Sequence, residues 1–312
     1  MPLTSLPVLS LADEPAQFSQ SIGDSFKTFG FAMVKDFGID PALIDRAYQL
    51  TGQFFALPEA EKRAYYIEGI AGARGYTPFG TEIAKGAKAH DLKEFWHVGR
   101  DLAPGNPLED SMPPNIWPDR PEGFRETFTQ LYAEFDRVGG IILSRIAVYL
   151  GLDEHWFDPA IFEGNSVMRL LHYPPLDQVE GEAIRAGAHG DINLITLLLG
   201  AEEAGLELLG KDGNWISASP PKVALVINVG DMLERLTNHL LPSTIHRVRN
   251  PDAARARFSR YSMPFFLHLR SDFPFVTLPQ CVSAENPDRY PVSITADEFL
   301  QQRLIEIGLK KG

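Results

Sequence analysis

The sequence predicts an α+β fold with a mainly β core held in a helical frame. Apolar residues at helical spacing cluster in the first 150 positions and again at the end of the chain. After residue 160, short β-rich segments alternate with Gly, Pro, Asn and Asp turn signals, which suggests a sandwich or small barrel. The composition supports a self-sufficient core. The chain has 312 residues, 44% hydrophobic and 22% charged, so it buries enough surface to fold without covalent staples.

In chain order, Phe18, Ile22, Phe26 and Phe29 recur at spacings of four and three after Asp13 and Pro15, which suit a helix start, and Gly30 suits its stop. Phe31-Ala32-Met33-Val34 is a short apolar run of strand length. A second helix opens at Asp40-Pro41 and carries Leu43, Ala47, Leu50 and Phe54 on one face. The stretch from Gly69 to Gly80 holds several glycines and a proline over twelve positions and reads as loop. A long helix follows from about Phe124 to Leu150, with Phe128, Leu131, Phe135, Val138, Ile142 and Ile146 in one core-facing stripe. Strands are expected at Ser166-Tyr173, Leu194-Leu199, Leu206-Leu209, Val223-Val229, Ser243-Val248 and Phe258-Phe266, and a final helix after Thr295. No Ser- or Gly-rich linker divides the halves. The expected organisation is a framing region over 1–120, a long helix within 121–160, a β core over 161–275 and a tail with a helix over 276–312, together one unit.

Charge and cysteine usage narrow the chemistry. A net charge of -12 argues against broad contact with nucleic acid or anionic membrane. The single Cys281 excludes a disulfide framework and a thiolate zinc cluster. No apolar run is long enough to span a bilayer and the first residues do not read as a secretory signal, so a cytoplasmic setting is expected. Any metal must then be held by His and carboxylate.

His189-Gly190-Asp191 is the first candidate. Residues two apart on a strand share a face, so an imidazole and a carboxylate can converge on one ion. With eight His in the chain, about 0.4 such pairs arise by chance, so the motif alone is weak. His246, in a later β segment, supplies a third donor. Two imidazoles and one carboxylate on one face of an ion leave three positions open, the arrangement of non-haem Fe(II) oxygenases. Zinc suits the donor atoms as well, but the open positions and the lack of a His-Glu-x-x-His helix favour iron. Arg260-Tyr261-Ser262 adds a guanidinium and a hydroxyl two apart, able to grip one carboxylate, although a surface strand with an exposed Arg reads the same way.

Taken in order, these pieces resemble the isopenicillin N synthase-like family of iron- and 2-oxoglutarate-dependent dioxygenases. The likeness runs over nearly the whole chain. It includes Leu6-Pro7-Val8, Gly30-Phe31, Phe54-Phe55-Ala56-Leu57-Pro58, Gly75-Tyr76 and Lys93-Glu94 in the first half. In the second half it includes Leu194-Ile195-Thr196-Leu197-Leu198, Val226-Ile227-Asn228-Val229-Gly230-Asp231-Met232, Thr237-Asn238 and Arg260-Tyr261-Ser262-Met263-Pro264-Phe265-Phe266. The resemblance implies a double-stranded β-helix (jelly roll) with flanking helices. It implies Fe(II), 2-oxoglutarate and O2, with a small organic substrate oxidised and succinate and CO2 released. By residue-to-residue match, it makes His189, Asp191 and His246 the iron ligands, and Arg260, Ser262 and Tyr173 the holders of the far carboxylate of 2-oxoglutarate. Leu171 stands where many relatives have Asn, and Gly190 where Thr is usual. Two alternatives stay open at this stage: a 2-oxoglutarate-independent oxidase like isopenicillin N synthase itself, and a non-catalytic metal or ligand sensor.

Among the remaining residues, His172 is expected on the opposite strand face from Tyr173 as a buried, satisfied histidine. Arg169, on the same face as Tyr173, either projects into the pocket or forms a structural salt bridge. His268 is expected near an exposed strand end, His239, His155, His97 and His90 as surface or structural groups, and Glu202-Glu203 in a solvated loop. The substrate wall is expected from Arg74, Tyr76 and Phe79 and from Leu206 and Leu208, a mixture that admits an amino acid, a peptide or a small aromatic. The expected partner is a small molecule, with no nucleic acid or membrane, on a monomer or weak homo-oligomer.

Overall fold

Glu14, one residue later than the sequence suggests, caps the first helix: its carboxylate accepts the Gln17 N–H at 3.0 Å. In the computed structural model, residues 5–70, 72–81, 93–175, 186–199, 205–218, 221, 224–250 and 256–306 are described. The capped helix, α1 (Pro15–Phe29), stops at Gly30 in the left-handed region (φ 69°). A second helix, α2 (Pro41–Phe55), starts where Asp40 accepts the Ala42 N–H at 2.9 Å. Short α3 (Glu59–Arg63) follows, then the long α4 (Phe124–Tyr149) and short α5 (Asp158–Ile161). The α4 stripe is fully buried, and its Phe135 ring stacks on Phe265 at 5.4 Å. Later come α6 (Asp231–Leu236), which the pattern did not signal, and α7 (Ala296–Glu306).

The strands form two larger sheets. Before α4 lie β1 (Val8–Ser10), β2 (Phe31–Lys35), β3 (Gly75–Thr77) and β4 (Glu94–Gly99). After it lie β5 (Val167–Tyr173), β6 (Ala186–His189), β7 (Ile195–Leu199), β8 (Leu206–Leu209), β9 (Trp215–Ser217), β10 (Leu225–Val229), β11 (His246–Val248), β12 (Arg260–Ser262) and β13 (Pro264–Leu267). The major sheet runs β1-β2-β10-β7-β13-β5-β4-β3, with β12 also paired to β5; the minor sheet runs β6-β11-β8-β9. A separate pair joins β14 (Pro274–Phe275) to β15 (Ile294–Thr295). Strands from before residue 120 therefore extend both ends of the major sheet. This is the jelly-roll architecture with flanking helices, and the gap between the two sheets is where side chains of both converge.

Two expectations need correction. The Gly69–Gly80 stretch is not all loop, because Gly75–Thr77 pairs with β4, Tyr76 opposite Trp96. The segment Phe258–Phe266 is two strands rather than one. Among the described strands β12 pairs only with β5, in the register Arg260↔Tyr173 and Ser262↔Leu171, while β13 bridges β5 and β7. His90 and Glu202-Glu203 lie outside the described residues. No described helix is long and apolar enough to cross a membrane.

Candidate metal and co-substrate site

His189 and His246 face each other across the β6–β11 pair, directly in register, with ring centroids 4.4 Å apart. Asp191 reaches them in a way the sequence reasoning did not foresee. Strand β6 ends at His189, so the carboxylate is delivered by the turn beyond it rather than by strand alternation. That turn is pinned from below. Asp231 N–H donates to the Asp191 carbonyl at 2.8 Å, and a Cβ on Gly230 would fall 2.1 Å from the Asn193 carbonyl, so only glycine permits the approach.

The three donor atoms form a set. Asp191 Oδ1 lies 4.0 Å from His189 Nε2 and 3.9 Å from His246 Nε2, and all three lie within 4.8 Å of one another. Each imidazole has its other nitrogen occupied: His189 Nδ1 donates to the Gly187 carbonyl at 2.7 Å and His246 Nδ1 to the Thr244 carbonyl at 3.2 Å. This fixes the tautomer that presents a bare Nε2. The second Asp191 oxygen accepts from Thr196 Oγ1 at 2.5 Å and Asn228 Nδ2 at 2.8 Å, leaving Oδ1 to face the histidines. Burial pushes the Asp191 carboxyl up, but His246 and His189 and the Thr196 and Asn228 donors outweigh it and hold the group below the ordinary aspartate range. Burial pushes the His246 imidazole down against the pull of Asp191. An ionised carboxylate and neutral rings are the protonation states that a metal requires.

Thr196 and Asn228 were not singled out from the sequence, yet they are register partners across β7 and β10. Each is a polar residue in an otherwise apolar strand, Ile-Thr-Leu-Leu-Leu and Leu-Val-Ile-Asn-Val, and that interruption is a readable signal.

The cavity beside this set measures about 90 Å³ and is lined from both sheets. Arg260 and Ser262 are buried on the major-sheet side, with Tyr173 beneath the guanidinium at 5.2 Å from ring centroid to Cζ. Arg260 Nε has no hydrogen-bond partner among the described residues. A buried guanidinium lacking a carboxylate is costly, and an anionic ligand would satisfy it. Ferrous iron matches the two-imidazole, one-carboxylate donor set. The far carboxylate of 2-oxoglutarate matches the Arg260–Ser262 pair. A wider depression of about 380 Å³ lies elsewhere, but there Arg100 is already paired with Asp136 at 2.7 Å and no such donor set converges.

The structure places the other expected residues as follows. Arg169, Leu171 and Leu206 line the cavity. Arg169 Nε donates to His97 Nε2 at 2.6 Å, and His97 Nδ1 donates to the Gly72 carbonyl at 2.6 Å. The Arg169 guanidinium sits over Phe95 at 4.2 Å and Phe266 at 5.5 Å. Leu208 does not line the cavity; it packs with Phe31 and Met33 in a small apolar cluster. Arg74 is wholly buried with its guanidinium against the Gly99 backbone, where a Cβ would overlap it. Tyr76 and Phe79 belong to the opposite side of the sheet: the Tyr76 hydroxyl donates to Glu94, and the Phe79 ring meets His172 at 6.1 Å. His172 is half-buried rather than fully buried, with both nitrogens engaged, on Glu94 and Ser259. His268 is not at an exposed end. Its half-buried imidazole, with Nδ1 enclosed, is pushed down to about 4 by burial, while its backbone N–H donates to Ser166 Oγ at 3.1 Å and its carbonyl lies against Gly164. His155 is exposed beside Asp158, and His239 pairs with Glu234 and Tyr290.

Comparisons with known proteins agree with this geometry. Residues 2–120 match the family described as non-haem dioxygenase in morphine synthesis N-terminal, and residues 164–269 match the 2OG-Fe(II) oxygenase superfamily. The 2-oxoglutarate-Fe(II) type oxidoreductase hxnY of Emericella nidulans is 32% identical over 297 residues, covering 92% of this chain and 83% of that protein. A putative 2OG-Fe(II) oxygenase family protein from Caulobacter crescentus superimposes with a TM-score of 0.91 at 54% identity, over 98% of this chain and 100% of that one. A full-length Neurospora crassa protein, solved in complex with alpha-KG, gives a TM-score of 0.85 at 28% identity over 96% of both chains; its complex with alpha-KG and thymine is similar to this chain as well. The chain is a member of the isopenicillin N synthase-like family of Fe(II)- and 2-oxoglutarate-dependent oxygenases, an oxidoreductase that uses O2 to oxidise a small organic substrate.

Proposed function

We propose that His189, Asp191 and His246 hold the iron of this oxygenase, that Arg260 and Ser262 hold the far carboxylate of 2-oxoglutarate above Tyr173, and that Arg169 faces the substrate. The observation that carries the assignment is the division of labour on Asp191: one oxygen is committed to Thr196 and Asn228, the other is turned to two imidazole nitrogens whose tautomers are already fixed. When bound, iron and 2-oxoglutarate supply the activation of O2, with succinate and CO2 as co-products. The chain's own groups do the placing. Arg260 and Ser262 orient the co-substrate, while Leu171, Leu198, Leu206 and Phe266 keep the cavity apolar.

Substrate recognition follows from what remains in the cavity. Arg169 is held by His97 and flanked by Phe95 and Phe266 on the cavity wall, and this flat, aromatic-backed wall supports a small, planar or aliphatic substrate. The thymine in the Neurospora crassa complex, a flat molecule rich in carbonyl oxygens, belongs to that class. The buried single cysteine and acidic balance support a cytoplasmic setting.

The test is the purified protein with Fe(II), 2-oxoglutarate and O2. Slow succinate formation without added substrate is expected, accelerated by the right small planar or aliphatic compound. Asp191→Ala should lose stoichiometric iron and this turnover together. Unchanged iron content in that variant would overturn the ligand assignment.

A further inference from the structure

Behind the sheet that carries Arg260 lies a buried ionic cluster outside the cavity. Glu94, fully buried on β4, collects three donors. Lys62 Nζ donates to Oε2 at 2.6 Å, the Tyr76 hydroxyl donates to the same oxygen, and His172 Nδ1 donates to Oε1 at 2.6 Å. Burial pushes the Glu94 carboxyl up, but the His172, Lys62 and Tyr76 donors hold it below the usual glutamate value. With Nδ1 so engaged, His172 Nε2 accepts the Ser259 hydroxyl at 2.9 Å. The imidazole packs in a triangle of rings with Phe55 at 5.3 Å and Tyr261 at 5.0 Å, which themselves lie 6.4 Å apart. Strand alternation links this face to the cavity. His172 and Tyr261 are register partners turned away from it, and their neighbours Tyr173 and Arg260 are register partners that line it.

Such a cluster is poorly explained by stability alone, since apolar residues of similar volume usually serve a core as well or better. Its geometry has a clear terminus. Ser259 immediately precedes Arg260, and β12 is three residues long and paired only with β5 among the described strands. A strand that short has little rigidity of its own. We propose that Glu94 and His172 are positioning residues for the co-substrate anchor: through Ser259 they hold β12 so that Arg260 and Ser262 present a fixed grip on the far carboxylate. The inference rests on the Arg260–Ser262 reading above.

The test compares two 2-oxo acids binding to the Fe(II) protein without O2, by calorimetric titration. 2-Oxoglutarate carries the far carboxylate; 2-oxobutyrate keeps the 2-oxo acid end and lacks it. Ser259→Ala, which removes one hydroxyl and leaves the ionic cluster intact, should weaken 2-oxoglutarate about threefold, and Glu94→Gln about tenfold, with 2-oxobutyrate unchanged in both. Loss of both ligands to the same degree in Ser259→Ala, or no loss of either, would overturn the proposal. Should Glu94→Gln fail to fold, Ser259→Ala decides alone. Arg260→Met is the control on the underlying reading: if it does not weaken 2-oxoglutarate relative to 2-oxobutyrate, the anchor assignment itself falls.

Discussion

The two faces of β5 and β12 treat buried cations in opposite ways. On the helix-facing side, Lys62 is enclosed and spent on Glu94, and every member of that cluster has an internal partner. On the cavity side, Arg260 is equally enclosed, yet its Nε finds no partner among the described residues. On these two faces the difference separates a charge balanced within the fold from one that faces the cavity with bonding capacity unspent. A paired ion leaves little net cost in the empty protein, whereas an unspent donor beside a cavity is a cost that an anionic ligand can offset on binding.

Substitutions can break that contrast. The largest effect is expected from Lys62→Met, which takes the ammonium from a buried carboxylate and leaves it the Tyr76 and His172 donors: a loss of roughly 3 kcal/mol in unfolding free energy, read from chemical denaturation. An unchanged midpoint would mean that the ionic cluster is not structural. Arg260→Met should do the reverse, costing 2-oxoglutarate affinity about 30-fold or more by titration while leaving the denaturation midpoint near that of the parent. A drop in stability matching that of Lys62→Met would place Arg260 with the fold instead. Asn228→Ala is the intermediate case, a satisfied group on the cavity side. About a tenfold loss of iron affinity is expected, by competition with a chelator, because the freed Asp191 oxygen loses its orientation.

Much of this was legible in the residues. The spacing of His189 and Asp191 and the later His246 pointed to three donors that the fold does bring together, the Arg260–Ser262 pair pointed to the wall of the same cavity, and the apolar stripe of α4 pointed to the scaffold. The misses share a physical cause: composition gives no side-chain direction. The glycine-rich stretch correctly suggested bends, but Tyr76 follows the short β3 pairing into the core, and Arg74 turns onto the Gly99 backbone. Strand β4 escaped notice because Glu94 and His97 break its apolar pattern, and both are buried for reasons only the partners reveal, Lys62 for one and Arg169 for the other. His268 looked terminal because Gly164 and Ser166, which pack against its backbone, lie about a hundred residues away in sequence.

The two histidines of the donor set come from the minor sheet, on β6 and β11, while Arg260 and Ser262 come from β12 of the major sheet. Under the proposed assignment, a co-substrate reaching both would be a cross-brace between the two halves of the jelly roll. Held at the His189–Asp191–His246 set on one side and at Arg260 and Ser262 on the other, it would add to the Asp191 hydrogen bonds that already join the turn after β6 to Thr196 and Asn228. Filling the site should make the β core stiffer as a whole, so that slow separation of the sheets and release of the co-substrate become the same event.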